Sequence, residues 1–108
     1  MKKLEIGYSI SGTKITIPFK ANCVITDMDF QGNIIIEYRP RKEVLEYVDL
    51  EKFIGSSTEK KLTVEELANI IFIEIEKEIK PEYLKVLVDV LKSDAHQPVQ
   101  VWIERQLD

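Results

Sequence analysis

At 108 residues the chain can sustain one hydrophobic core, so a single domain spanning 1–108 is expected. Its 44% hydrophobic and 31% charged residues are those of a soluble globular protein, and charges interrupt every apolar run before a bilayer could be crossed. A net charge of −4 excludes coating nucleic acid by bulk electrostatics, one cysteine excludes an internal disulfide, and one histidine beside it leaves no ligand set for a closed zinc site, so no metal is expected.

Leu4-Glu5-Ile6-Gly7-Tyr8-Ser9-Ile10 alternates apolar with polar or small residues, the period of a half-buried strand, and Ser11-Gly12 turns it. Ile15-Thr16-Ile17-Pro18-Phe19 is a second extended piece; Pro18 lacks an amide hydrogen, so an edge, bulge or bend is expected there. Residues 21–30 read as irregular, Gln31-Gly32-Asn33 as a turn, and Ile34-Ile35-Ile36-Glu37-Tyr38-Arg39 as the strongest strand, stopped by Pro40. Residues 13–39 are thus expected to form a long hairpin-like unit with Cys23 and Asp29 near its open region.

Between 42 and 54, Val44, Leu45, Val48 and Phe53 are spaced for one helical face, and Gly55-Ser56-Ser57 is expected to end that helix. Thr63-Val64-Glu65-Glu66 fits a capping box and predicts a helix from 64 to about 79, which Pro81 prevents from continuing. Val64, Leu67, Ala68, Ile71, Phe72, Ile75 and Ile79 give it a broad apolar face. Residues 82–92 and 99–104 alternate as two more strands, joined across Ser93-Asp94-Ala95-His96-Gln97-Pro98. The order ββααββ, with a short extra strand in front, predicts an α+β fold: a four-stranded antiparallel sheet with two helices on one face. Such a sheet has open edges that oligomerisation can close.

The chemistry-bearing stretch is Ala21-Asn22-Cys23-Val24-Ile25-Thr26-Asp27-Met28-Asp29-Phe30, which holds the only cysteine with two acidic residues just downstream. A thiolate is the strongest side-chain nucleophile near neutral pH, and a nearby carboxyl can serve as its proton partner. Spacing does not separate Asp27 from Asp29 in that role, and by position alone a lone cysteine is more often simply a small buried apolar residue. Nothing in the sequence shows what would lower the pKa of Cys23, and two nearby carboxylates would by themselves raise it. Two basic clusters, Arg39, Arg41 and Lys42 around Pro40 and the Lys60-Lys61 pair, read as solvated loops, with a local RNA contact as the other reading. His96 reads as solvated in its hairpin loop, and Trp102 as core or subunit interface.

Against the ββααββ order, several segments resemble one family: the tunnelling-fold enzymes that act on the nitrile of 7-cyano-7-deazaguanine, namely the QueF nitrile reductases and their short QueF-like amidinotransferase relatives. Phe19-Lys20-Ala21-Asn22-Cys23 resembles the segment that delivers the family's nucleophilic cysteine, and Glu37-Tyr38-Arg39-Pro40 resembles the Tyr-Ile-Pro closing the next strand. Glu46 falls where reductases begin their Glu-Ser-Lys-Ser-Leu-Lys motif, Glu65 at the place of the base-binding glutamate, and Pro81-Glu82-Tyr83-Leu84-Lys85-Val86 resembles the Pro-x-Tyr-x-x-Val entry to the third core strand. The likeness runs from about residue 19 to residue 104.

There are departures. Glu46-Tyr47-Val48-Asp49-Leu50-Glu51 has apolar or acidic residues where reductases carry lysines for the NADPH phosphates, and carboxylates repel phosphate. Val24 replaces a proline, Val64 replaces a histidine, and the family's aspartate aligns with Phe30, so that Asp29 is one residue early, a difference the 31–33 turn would absorb.

The resemblance implies a tRNA-modifying amidinotransferase that forms archaeosine from 7-cyano-7-deazaguanine in tRNA. Cys23 and Asp29 would be catalytic, Glu65 and Glu46 would bind substrate, ammonia would be co-substrate, and no redox cofactor would be needed. It further implies a homo-oligomeric ring or a pair of stacked rings, with active sites between subunits and Glu65 supplied by a neighbouring protomer; the interrupted apolar runs and single cysteine lead to the expectation of a cytoplasmic protein. The competing readings are an NADPH-dependent nitrile reductase and a non-catalytic purine-binding or assembly protein of the same fold.

Overall fold

Residues 13–22 and 29–39 each carry an inward apolar side chain at alternate positions, and this period of two makes them the first pair of a sheet. In the computed structural model, which describes residues 1–93 and 97–108, β1 is Lys3–Glu5, β2 Thr13–Asn22, β3 Asp29–Arg39 and β4 Glu43–Leu45. Two helices follow, α1 (Tyr47–Ser57) and α2 (Val64–Ile79), and then two strands, β5 (Tyr83–Ser93) and β6 (Val99–Gln106). The main sheet is antiparallel throughout in the order β2-β3-β5-β6, while β1 and β4 form a separate two-stranded ribbon. His96, expected in the β5–β6 loop, lies outside the described residues.

One face of the sheet is the core. Ile17, Phe19 and Ala21 from β2, Phe30, Ile34, Ile36 and Tyr38 from β3, and Leu84, Val86, Val88 and Val90 from β5 are buried beneath the helices. Leu50 and Ile54 of α1 and Leu67, Ala68, Ile71, Phe72, Ile75 and Ile79 of α2 meet them, and among the described residues no polar or charged residue is buried. Burial of these side chains, at about 25 cal/mol per Å² of apolar surface, is what holds the layers together. Trp102 is not in this core: it is 54% exposed on the helix-free face, with Lys85 Nζ 6.0 Å from its ring centroid.

The caps account for where the helices begin and end. Thr63 Oγ1 accepts a hydrogen bond from Glu66 N at 3.1 Å, the threonine half of the expected capping box. At the other end Lys80 adopts the left-handed conformation (φ 44°), its N–H bonds Glu76 O, and Pro81 closes the helix. The first helix differs from expectation. Val44 and Leu45 belong to β4, which pairs with β1, and α1 starts only after Glu46, whose carboxylate accepts from Asp49 N. It then runs through Gly55-Ser56-Ser57, because Ser57 and Thr58 hydroxyls bond back to Phe53 O and Ile54 O and buried Ile54 anchors the turn.

The expected turn at Gln31-Gly32-Asn33 is strand. It lies inside β3, with a bulge relative to β5 between Gln31 and Gly32. A Cβ at Gly32 would sit 1.9 Å from Asp89 O and 2.9 Å from Leu91 N, so close backbone approach, rather than a reversal, explains the glycine. The reversal is instead at 23–28, which places Cys23 and Asp29 at the closed end of the hairpin and not its open end.

Candidate active site

The loop that carries Cys23 is held shut from within. Asp27 N donates to Cys23 O at 2.8 Å and Cys23 N donates to Met28 O at 2.9 Å. Asp27 takes a positive φ of 58°, one of the few ways an L residue completes so tight a reversal. Asn22 Nδ2 donates to Asp27 O at 3.2 Å and to Asp29 Oδ1 at 3.0 Å, and Lys61 Nζ pairs with Asp27 Oδ1 at 2.6 Å. The strand ladder thus passes into an ordered turn, with the cysteine at its first position.

A parallel bridge brings the second element of the site alongside. Leu62 N donates to Asn22 O at 3.0 Å and Val24 N donates to Leu62 O at 3.3 Å, pairing Cys23 with Leu62 just before α2. Buried Leu62 anchors this segment, so Thr63, Val64 and Glu65 emerge beside the cysteine loop. The result is a cavity of about 380 Å³ lined by Cys23, Thr26, Phe30, Thr63 and Glu65, with Val64, Met28, Val90, Gln97 and Val99 completing largely apolar walls. That is the size and character of a small-ligand site.

Cys23 is partly exposed, not walled into the core. Its thiol is held below its ordinary range, the Thr26 hydroxyl being the largest cause and the backbone amides of Thr26 and Ile25 the next. Partial burial and the negative charge of Glu65 push weakly the other way. The sequence left open what lowers this pKa; the causes lie in the turn itself, and the carboxylate that raises it is Glu65 rather than Asp27 or Asp29.

The structure brings Cys23 and Glu65 of one chain to one cavity, so that pairing needs no neighbouring protomer. It does not bring Asp29 there. The β2–β3 register is unbroken from Thr13↔Tyr38 to Asn22↔Asp29, so the residue beside inward Phe30 must point outward. Asp29 accordingly lies on the helix-free face, 3.7 Å from Lys20 Nζ, and the Gln31/Gly32 bulge, which is relative to β5, does not rotate it back. Asp27 is likewise turned to Lys61. Glu46 is also elsewhere: it caps α1, next to Leu45 whose amide donates to Tyr38 Oη, and β3 separates Tyr38 from Phe30 by roughly 25 Å at about 3.3 Å per residue.

Of the basic clusters, Arg39 and Arg41 are spent on Ser11 O, Lys80 O and Leu107 O at that same far end, while Lys61 stands at the rim of the cysteine loop. Thr26, Thr63 and Gln97 are polar lining residues that the sequence did not single out; Thr26, three positions after the only cysteine, carried the one readable signal. Among the described residues no group of three His, Cys, Asp or Glu could hold a metal ion, and no helix is long and apolar enough to cross a membrane.

A small α+β protein with a four-stranded antiparallel sheet, helices on one face, and a cavity shared by a cysteine loop and the first turn of the second helix is a tunnelling-fold protein. No protein-family model matches the sequence. The chain is similar to the NADPH-dependent 7-cyano-7-deazaguanine reductase of Sulfurimonas denitrificans, with 30% identity over 90 residues covering 82% of this chain and 72% of that protein. It is also similar to the archaeosine synthase QueF-Like in its apo form, with a TM-score of 0.81 and 25% identity over 90% of this chain and 95% of that one. The chain belongs to the QueF family.

Proposed function

We propose that the protein is an amidinotransferase that converts the nitrile of 7-cyano-7-deazaguanine in tRNA to an amidine. The observation that carries this reading is the shared cavity of Cys23 and Glu65. The Cys23 thiolate adds to the nitrile carbon while the nitrogen takes up one proton, giving a covalent thioimidate. Ammonia then adds to that carbon, the carbon–sulfur bond breaks, and the thiolate leaves behind an amidine. Glu65 accepts the ring N–H and the exocyclic amine of the guanine-like edge in a fork, orienting the nitrile toward the sulfur. With Asp29 on the other face, the proton on nitrogen is drawn from solvent through the neutral donors of the cavity, Thr26, Thr63 and Gln97.

Two observations favour this over nitrile reduction. The first turn of α1 presents Glu46 and Asp49, with Glu51 one turn on, where a nucleotide phosphate would need cations, so these residues do not fit NADPH. The solved structure that the chain resembles over 90% of its length, with a TM-score of 0.81, is the archaeosine synthase. The open edges of β2 and β6 suit closure by further copies into a ring, and Glu46 reaches a substrate only in a site that another copy completes.

The test is intact mass after incubation with 7-cyano-7-deazaguanine. The reading expects one adduct, absent in Cys23→Ala and discharged by ammonium but not by NADPH. Discharge by NADPH would establish the reductase, and no adduct despite measurable binding would establish a binding protein.

A further inference from the structure

We propose that Asn22 and Asp29 form a positioning pair for Cys23: Asp29 orients the Asn22 amide, and Asn22 holds the 23–28 reversal closed so that the cysteine stays beside Glu65. The pair rests on the covalent reading of Cys23 for its purpose, and it gives Asp29 a task other than proton transfer.

Asn22 is the last residue of β2, and it bonds in two directions. Its backbone carbonyl accepts from Leu62 N at 3.0 Å, one of the bonds that draw the segment ahead of α2 alongside the loop. Its side chain reaches the other way: Nδ2 donates to Asp27 O at 3.2 Å and to Asp29 Oδ1 at 3.0 Å. Both partners are acceptors, so the amide nitrogen has to face them; turned over, its oxygen would meet a carbonyl and a carboxylate. In this orientation Oδ1 is buried and has no hydrogen-bond partner among the described residues. Burying an unpaired acceptor costs stability, and here that cost accompanies the hold on the loop.

The bond to Asp27 O falls where the reversal is most strained. Asp27 takes a φ of 58°, a left-handed conformation that is unfavourable for an L residue, and Asn22 pins the carbonyl of that same residue from the strand side. Asp29 in turn fixes the pin. It lies directly across the β2–β3 register from Asn22, with one oxygen accepting from Nδ2 and the other 3.7 Å from Lys20 Nζ. Neither Asn22 nor Asp29 lines the cavity, so the pair acts on the chemistry through the loop it holds. Misplacing a reacting atom by about 1 Å can lower a rate roughly a hundredfold.

The test compares Asn22→Ala, Asp29→Ala, Asp29→Asn and the double alanine variant in the full chain. Asparagine at position 29 keeps an oxygen for Nδ2 but has no carboxylic proton to give; alanine keeps neither. At saturating 7-cyano-7-deazaguanine, the rate of adduct formation should fall about tenfold in each alanine variant, the lower end for a charge-assisted bond at an exposed position. The half-saturating concentration should stay at the parent value, because Glu65 still holds the base. Asp29→Asn should remain within about threefold of the parent, and the double variant should be no slower than Asn22→Ala, since Asp29 acts through Asn22. Amide hydrogen exchange reads the hold without the nitrile: the Cys23 and Asp27 amides should exchange about tenfold faster in both alanine variants, and those of residues 34–36 at the parent rate.

A merely structural role would weaken base binding together with the rate. Alanine variants that match the parent in both readouts, or additive losses in the double variant, overturn the pair. Equal losses in Asp29→Asn and Asp29→Ala overturn it in favour of proton transfer, and the two Asp29 variants decide the point should Asn22→Ala fail to fold. The expected exchange pattern with no adduct even from the parent chain would instead sink the covalent function and leave the hold of Asn22 and Asp29 on the loop standing.

Discussion

Replacing Glu65 by glutamine separates two effects that ordinary loss of function would merge. Glu65 lines the cavity and its charge works against ionisation of Cys23. Glutamine removes that charge, so the thiolate becomes easier to form and iodoacetamide should modify Cys23 faster at neutral pH. The same change destroys the acceptor fork. Glutamine offers one acceptor oxygen and, in place of the other, an amide that meets the ring N–H or amine of a guanine edge donor to donor. Each charge-assisted hydrogen bond contributes about 1.5–3 kcal/mol, and losing one weakens binding by roughly 10- to 150-fold. The assay is calorimetric binding of 7-cyano-7-deazaguanine in a Cys23→Ala background, which removes covalent capture, paired with alkylation rates in the cysteine-containing protein. Faster alkylation with weaker binding is the expected pair. Unchanged binding would refute the placement of the base against Glu65, and slower alkylation would refute the sign of its influence on the sulfur.

Three further outcomes follow from the geometry. Asp29→Asn should form the Cys23 adduct within about threefold of the parent rate, because Asp29 faces Lys20 on the helix-free side; a loss of a hundredfold or more, of the order that general acids contribute, would return the acid role to it. Gly32→Ala forces a methyl to within 1.9 Å of Asp89 O, and the bulge must rearrange; denaturant unfolding should show a loss at or above the roughly 1–3 kcal/mol usual for overpacking, and an unchanged midpoint would contradict the bulge. Tyr38→Phe strands the amide of Leu45, now bonded to the phenol at 3.1 Å in a fully buried site, and should cost about 1–3 kcal/mol in the same assay; no loss would mean that the amide finds another partner.

Much of the fold was readable because local and global signals agreed. Thr63-Val64-Glu65-Glu66 starts a helix on its own chemistry, Pro81 stops it, and the alternation of β5 and of Ile34-Ile35-Ile36 needs no tertiary context to be seen as strand. The misreadings occur where a long-range partner overrides a local cue. Val44 and Leu45 have helical spacing with Val48, yet β1, some forty residues earlier, pairs with them as strand. Gly32 signals a turn but answers to the backbone of Asp89 on β5.

The site divides the same way. Cys23 and Glu65 were named from the sequence, and the Cys23↔Leu62 bridge that unites them is a backbone contact no motif spells out. Asp29 was named as well, but which face it takes depends on a strand register fixed by Ala21 and Phe30 facing inward together. The cavity wall exists only once residues 23–28 have closed, so the spacing of Thr26 to Cys23 is readable in the sequence while its place in the lining is not.

In the proposed reaction Cys23 activates the nitrile of a tRNA-borne base for addition of ammonia. It is tested most directly by incubating the protein with tRNA carrying 7-cyano-7-deazaguanine and nitrogen-15 ammonium, then digesting the tRNA and weighing the nucleosides. The account predicts an amidine nucleoside bearing the label with the parent chain and an untouched nitrile with Cys23→Ala. A nitrile left intact by the parent chain, or consumed only when NADPH is added and then without label, would contradict it.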